Sequence, residues 1–528
     1  MRKIGKNIVL VILILLLLCG CQNSKTNELD LIHIKSAGGQ KKKVIVMLVD
    51  SLMAQSIDQG IREQELPTFQ FLIEHGQYYQ NLVSSFPTMS VTIDSTLLTG
   101  TYPDGHLVPG LTWYSTDDQK VINYGTGPME VFKQGINSVA IDGLIHLNGR
   151  HLSRELPTIY DDLAWRGLKS GSINGLIYRG AYDHTLSIPK WIQSFTSLDK
   201  EISVKGPDFL AFGSLSNPLA SVLNLPDGLT NRMGFNNKYA IEVAQYLIQA
   251  NKLPDFLYVY LSDLDQKLHK KGPTDLSGVK EVDQQLQSLL QAFGSPEKAL
   301  NEAIIMILGD SGMTQILPAD QNPEIKLHEL FGDAKVLRPG EAVSTDTDII
   351  LAVNETMAYV YLLNKDRSLE DVANGLIREP RIDIIAWKER EWIYAIQGLT
   401  GKQLRFKANG NMIDQYKQSW TVEQDYEVLD LEVNTADQTI NYGEYPDALQ
   451  RLSGALNSHE GNFLVVTAKP GYELADRSSP THKGGGGHGS IRKMESLVPL
   501  IISGTEHKPQ YLRIVDLKTY LLDLLTKQ

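Results

Sequence analysis

The 528-residue chain has only two cysteines, Cys19 and Cys21, and both fall in its first 21 residues. Everything beyond them is cysteine-free, so disulfide stapling is excluded there and stability must come from burial. Basic charge is scarce as well. Discounting the first 21 residues removes Arg2, Lys3 and Lys6 from 50 basic residues set against 62 acidic ones, which leaves a formal charge of −15. An acidic excess of this size repels a nucleic-acid backbone, so no duplex partner is expected, and cations can neutralise part of it. No internal repeat is present, which sets aside solenoid and propeller architectures. The apolar run Ile8 to Leu18 is too short for a permanent membrane span. Nothing in the pattern signals a protein partner.

The N-terminus has the layout of a secretory signal: Arg2, Lys3 and Lys6 precede the apolar run, which ends in Leu18-Cys19-Gly20-Cys21. That ending resembles the lipobox of bacterial lipoproteins, in which cleavage precedes the last cysteine and the lipid is attached to it. The expectation is a lipoprotein signal peptide over 1–21, a lipid on Cys21, and an extracytoplasmic, membrane-anchored protein. An uncleaved anchor or an ordinary cleaved signal would also fit. Residues 22–43 are polar and end in Gly-Gly-Gln-Lys-Lys-Lys, which reads as a tether.

The remainder is longer than one hydrophobic core usually serves, so a large domain with a substantial insertion is expected. Continuous apolar runs at 44–49, 256–261, 304–308, 463–467 and 497–502 read as strands covered on both faces, separated by helical stretches. The fold class is therefore α/β, with a mostly parallel central sheet flanked by helices. Between 331 and 452 the texture shifts to shorter alternating runs with Asn and Gly turns, as in an inserted smaller α+β cap region. The core is expected in two parts, 44–330 and 453–528. The leucine spacing after Tyr511 suits a closing amphipathic helix.

Chemistry-bearing residues lie at the ends of these runs, where an open parallel sheet exposes its catalytic side chains. Asp50 ends the first run and Asp310 ends the third, in front of a Gly turn; two such carboxylates repel unless a cation lies between them. A capping role is the alternative for Asp310. The stretch Thr88 to Ser95 holds four hydroxyl residues ahead of a helix-like segment. Ser90 could face a phosphate at a helix N-terminus, or Ser90, Thr92 or Asp94 could be a simple N-cap. Asp265 and His269 are four apart, so one helical face could clasp an ion, although such pairs are often mere surface neighbours. Asp263 is a weaker candidate. His482 and His488 flank four glycines; no Lys-Ser or Lys-Thr follows, so this is no P-loop. The segment reads as mobile backbone presenting His488, or as a flexible linker.

Taken in order, VIVMLVDSL, FPTMSVTIDSTLLTGTYPDGH, DLDQKLHKKGP, LGDSGM, GGHGS and IVDLKTYLLDLL resemble the successive motifs of the alkaline phosphatase superfamily, nearest its nucleotide pyrophosphatase/phosphodiesterase branch. The resemblance implies a central sheet of that superfamily's type and two divalent metal ions, zinc by family habit, beside a Ser or Thr nucleophile. Ser90 falls at the nucleophile position, with Thr92 in reserve. Asp50, Ser90 and Asp310 would hold one metal; Asp265, His269 and His488 would hold the other. The implied activity is hydrolysis of a small phosphoester through a phosphoseryl intermediate.

Two departures follow. Ser311 stands where the family has a metal-binding His, which favours Mg or Mn at the Asp50/Ser90/Asp310 site. Leu111 stands where the diesterase branch has a phosphate-contacting Asn. His106 is expected to be structural. A sulfatase-like hydrolase of the same fold would need Pro and Arg after its Cys or Ser, and Ser-Val-Thr-Ile-Asp has neither. A non-catalytic metal- or phosphate-binding lipoprotein is the remaining alternative, for which Ser311 and Leu111 speak.

Overall fold

A computed structural model describes residues 42–364 and 366–527. The expected signal peptide, Cys21 and the tether as far as residue 41 lie outside the described residues. The first strand already begins at Lys43, so the expected tether boundary overlaps it by one residue.

A seven-stranded sheet forms the centre of the fold. Its strands, in chain order, are β1 (Lys43–Val49), β2 (Gly76–Val83), β3 (Ser170–Ile173), β4 (Phe209–Ala211), β5 (Phe256–Leu261), β6 (Ala303–Gly309) and β7 (Leu497–Ser503). They lie in the order β2-β7-β6-β1-β5-β3-β4. β1 pairs parallel with β5 and β6, and β3 pairs parallel with β4 and β5. β7 runs antiparallel to β6 and β2. Every side chain of β5 and β6 is buried, which is why the sequence shows continuous apolar runs there instead of alternation. β2, β3 and β4 escape a reading of apolar runs because they are short or polar, and β2 and β4 lie at the sheet edges.

Helices cover the sheet. α1 (Ser90–Thr99), α2 (Asp263–Lys271) and α3 (Ile514–Thr526) are the three that matter for the site or its support. α3 is the closing amphipathic helix: Leu517, Leu521 and Leu525 join Val44, Val46 and Leu48 of β1 and Leu97 and Leu98 of α1 in one buried cluster. At roughly 1.5–3 kcal/mol per fully buried large apolar side chain, that cluster is a main source of the stability disulfides do not supply.

The region expected as a cap supplies eight strands of a second, nine-stranded sheet, with Ile349–Asn354 and Met357–Leu362 as an antiparallel hairpin at one end. One expectation is corrected. The apolar run at 463–467 is a strand, Phe463–Ala468, but it belongs to this second sheet, antiparallel to Met357–Leu362 and Ile382–Glu389. Its side chains are all buried, and a fully apolar run reports burial without reporting which sheet provides it.

Candidate active site

The registers Val49↔Gly309 and Val49↔Leu261 align the carboxyl ends of β1, β6 and β5. Asp50 and Asp310 therefore emerge side by side, and α2 starts beside them, two residues beyond β5. Ser51 turns the chain with φ 60°, in the left-handed region that non-glycine residues seldom adopt. That turn aims the Ser51 N–H at Asp310 Oδ1, 2.8 Å away, and the Ser51 hydroxyl at Asp265 Oδ1, also 2.8 Å. The Ser311 N–H donates to the same Asp310 oxygen at 2.6 Å. Asp310 Oδ2 is buried and has no hydrogen-bond partner among the described residues.

Ser90 is the first residue of α1. Met89 occupies the N-cap position and no side chain caps the helix, so the N-cap reading of Ser90 does not hold. Its hydroxyl instead faces Asp50 Oδ1 at 3.4 Å. Thr92 donates to the Val108 carbonyl at 3.2 Å and is buried away from this cluster. Asp94 accepts from the Tyr258 hydroxyl and from the Ile177 N–H.

Asp265 and His269 share one face of α2, with Asp265 Oδ1 3.1 Å from His269 Nε2. His488 arrives from the glycine segment and places Nε2 3.5 Å from the same oxygen. The other ring nitrogens are fixed by carbonyls: His269 Nδ1 by Gly486 at 2.8 Å, His488 Nδ1 by Thr88 at 2.7 Å. Such bonds set the ring orientation of metal-binding histidines and leave Nε2 for a ligand. The expectation of a mobile glycine loop is corrected. Gly485 to Gly489 are buried, and Gly486–Gly487 pair with Thr314–Gln315. A Cβ on Gly485 would collide with the His269 carbonyl oxygen. The glycines are there for close backbone approach, not for mobility.

Electrostatics divide the site in two. Burial raises the Asp50 carboxyl well above its ordinary range, and the neighbouring Asp310 and Asp265 raise it further. Asp310 is raised by burial as well. Around Asp265, burial opposes ionisation, but His269 and His488 outweigh it and hold the carboxyl below the usual range. Burial works against charge on His269 and His488 too; the carboxylates of Glu355 and Asp265 prevail and lift each to about 10. Protons thus serve as the counter-charge that a cation would supply.

The donor sets fit divalent cations unequally. Asp265, His269 and His488 bring one oxygen and two nitrogens within 4.8 Å of one another, a set suited to zinc with a position open. Asp50 meets the hydroxyls of Ser90 and Tyr260, and Asp310 the backbone N–H groups of Ser51 and Ser311, whose hydroxyls lie 3.3 Å apart beside it. The orphaned Asp310 Oδ2 fits a cation there, and an all-oxygen set suits a hard one.

Several residues at the site were not assigned from sequence. Glu355 is the tip of the second sheet's hairpin, with φ 58°. Its Oε2 accepts the His488 N–H at 3.1 Å and its Oε1 lies 3.7 Å from His269 Nε2. His482 stacks on His269 with centroids 4.1 Å apart, and its Nδ1 is 3.2 Å from Glu473. Tyr260, from β5, donates to Asp50 Oδ2. The run Ala-Val-Asn-Glu-Thr-Met-Ala signals a two-residue turn, but nothing in it says where the turn points. The remaining candidates lie apart from this cluster. Asp263 pairs with Arg232. His106 is buried between Thr96 and Val108, and burial lowers it to about 3, so it is neutral and structural. The Leu111 N–H donates to the Asn354 side chain at 2.8 Å.

A family model described as type I phosphodiesterase / nucleotide pyrophosphatase matches residues 44–491. No curated protein matches the chain. Among solved structures, the chain resembles murine ectonucleotide pyrophosphatase / phosphodiesterase 5, solved both alone and as an inactive variant in complex with AMP, and the human protein of the same name. Each likeness has a TM-score of 0.53 at 14% sequence identity and covers 92% of this chain and 95% of the other. At that identity the likeness is one of fold.

Proposed function

We propose, from the premise that this chain belongs to the type I phosphodiesterase / nucleotide pyrophosphatase family, that it hydrolyses small phosphoesters with Ser90 as nucleophile and two divalent cations as cofactors. The observation that carries the reading is the meeting of Ser90 with Asp50 at the shared carboxyl ends of β1 and β6, beside the Asp265/His269/His488 set. Asp50, Asp310 and Ser90 would hold one cation and Asp265, His269 and His488 the other. When bound, the cations supply charge neutralisation for attacking and leaving oxygens and favour the serine alkoxide. Zinc suits the nitrogen-bearing set; Mg or Mn suits the all-oxygen one.

The chain's own residues do the rest. The Asp50 carboxylate orients the Ser90 hydroxyl and Tyr260 anchors Asp50 from behind. The free N–H groups at the start of α1 face an incoming phosphate. Attack by Ser90 Oγ forms the O–P bond as the bond to the leaving alcohol breaks, giving a phosphoserine that water then cleaves. The AMP bound to the murine relative supports a nucleotide-type phosphoester as substrate. Leu111, in place of the branch's Asn, widens the proposal to monoesters and diesters alike. Residues 331–452 contribute Glu355 and are proposed to share in specificity. The N-terminal layout supports export and lipid anchoring through Cys21.

A phosphoester panel tests this. Full-length protein supplied with Zn, Mn or Mg should turn over bis-p-nitrophenyl phosphate or a nucleotide ester. A second reading, metal or phosphate binding without catalysis, draws on Ser311; binding of at most one cation per chain with no turnover across the panel would favour it.

A further inference from the structure

We propose that Asp142, His146 and His151 form a separate site for a zinc-class divalent cation, outside the residues assigned to phosphoester chemistry. All three lie on the ten-residue π-helix Asp142–His151. Its i→i+5 hydrogen bonding widens the turn, so the four-residue step to His146 and the five-residue step to His151 return to one face. Each side chain brings one ligand atom within 4.8 Å of the other two. Runs of this geometry are rare and concentrate at functional positions.

The donors are arranged as ligands. His146 Nδ1 lies 2.9 Å from Asp142 Oδ1, and Asp142 is almost fully buried. His151 is 7% exposed; its Nδ1 meets the Tyr124 hydroxyl at 2.8 Å, and its Nε2 is buried with no hydrogen-bond partner among the described residues. Tyr124 thus fixes the ring from one side, as the partners of metal-bound imidazoles do, and the other nitrogen is left for an ion. One carboxylate and two imidazoles match a zinc-type donor set of three protein ligands. Lys120 Nζ, 3.0 and 3.2 Å from the two Asp142 oxygens, supplies the cationic charge in this structure and must move aside for the metal. Lys120 lies on the strand Lys120–Asn123, which pairs with Thr112–Ser115, so filling the site would exchange the tie between Asp142 and that hairpin for a metal held within the π-helix.

The test counts metal. Full-length protein is stripped with chelator, dialysed against Zn²⁺ and assayed for bound ion, with Co²⁺ absorption as a second readout. Wild type should hold one equivalent more than His146→Asn or His151→Asn. Lys120→Met should keep the full count and bind that equivalent on the order of tenfold more tightly, because the ammonium that competes for Asp142 and repels the ion is gone. Misfolding cannot produce tighter binding, so Lys120→Met decides the matter if the His151 variant is unstable. Equal counts in wild type and both histidine variants, or unchanged affinity in Lys120→Met, would overturn the assignment.

Discussion

Ser90 Oγ stands 3.4 Å from Asp50 Oδ1 across a sequence separation of 40 residues. The pairing depends on β1 ending where α1 begins, with Met89 and not Ser90 taking the N-cap position. A hydroxyl spared from capping its own helix is available for chemistry.

Asp265→Asn is expected to weaken metal binding and hydrolysis together. Asp265 Oδ1 faces both His269 and His488, so neutralising it removes the charge both imidazoles answer to. Affinity should fall at least on the order of 10–100-fold, the range seen even for groups that only support ligands. Competition against a chromogenic chelator measures it; wild-type zinc affinity would contradict the role.

The two metal positions should differ in preference. With Ser311 where a nitrogen donor is usual, the side-chain groups at Asp50 and Asp310 are oxygens, the hydroxyls of Ser90 and Tyr260 on Asp50 and the paired Ser51 and Ser311 hydroxyls close by. Titration of stripped protein with zinc should show one tight and one weak equivalent at this centre, and Mn or Mg added to the one-zinc form should raise activity. Two equally tight zinc equivalents there would refute this.

Gly485→Ala should cost a few kcal/mol of stability, in the range of overpacking a closed site, because its methyl would collide with the His269 carbonyl. Thermal melts and metal affinity should fall together, since the same backbone carries His488. An unchanged melting temperature would show that the segment can yield.

Acid sensitivity should trace in part to His459. Burial lowers it to about 3, and it stacks on Phe463. The unfolded chain binds this proton at the ordinary histidine value near 6.5, so the stabilising contribution is complete above that pH and is lost as pH falls toward 3. Buried Asp94, Glu130 and Glu495, each raised to about 7, work in the opposite sense, so the effect must be read as a difference. The stability advantage of wild type over His459→Gln, from urea midpoints, should shrink by up to about 1.4 kcal/mol per pH unit below 6.5. A constant difference would contradict it.

Asp50 and Asp310 were legible in the sequence because each follows an apolar run, and strand ends are where a parallel sheet offers ligands; Asp265 was legible only through its four-residue spacing from His269. His488 was legible as a residue and misread as to setting: four glycines suggest mobility when read alone, whereas here they let backbone press against α2. Glu355 was not legible, since the pattern around it fixes a hairpin while the docking of that hairpin is decided by packing between two sheets. The strand Phe463–Ala468 was found and misplaced for a related reason, because a residue buried on both faces carries no mark of its neighbour.

The most direct measurement compares wild type with Ser90→Ala for hydrolysis of bis-p-nitrophenyl phosphate, with bound metal counted in the same samples. The account predicts a loss of turnover greater than about a thousandfold with the metal count largely kept. Turnover at the wild-type rate by the metal-loaded Ser90→Ala protein would contradict it.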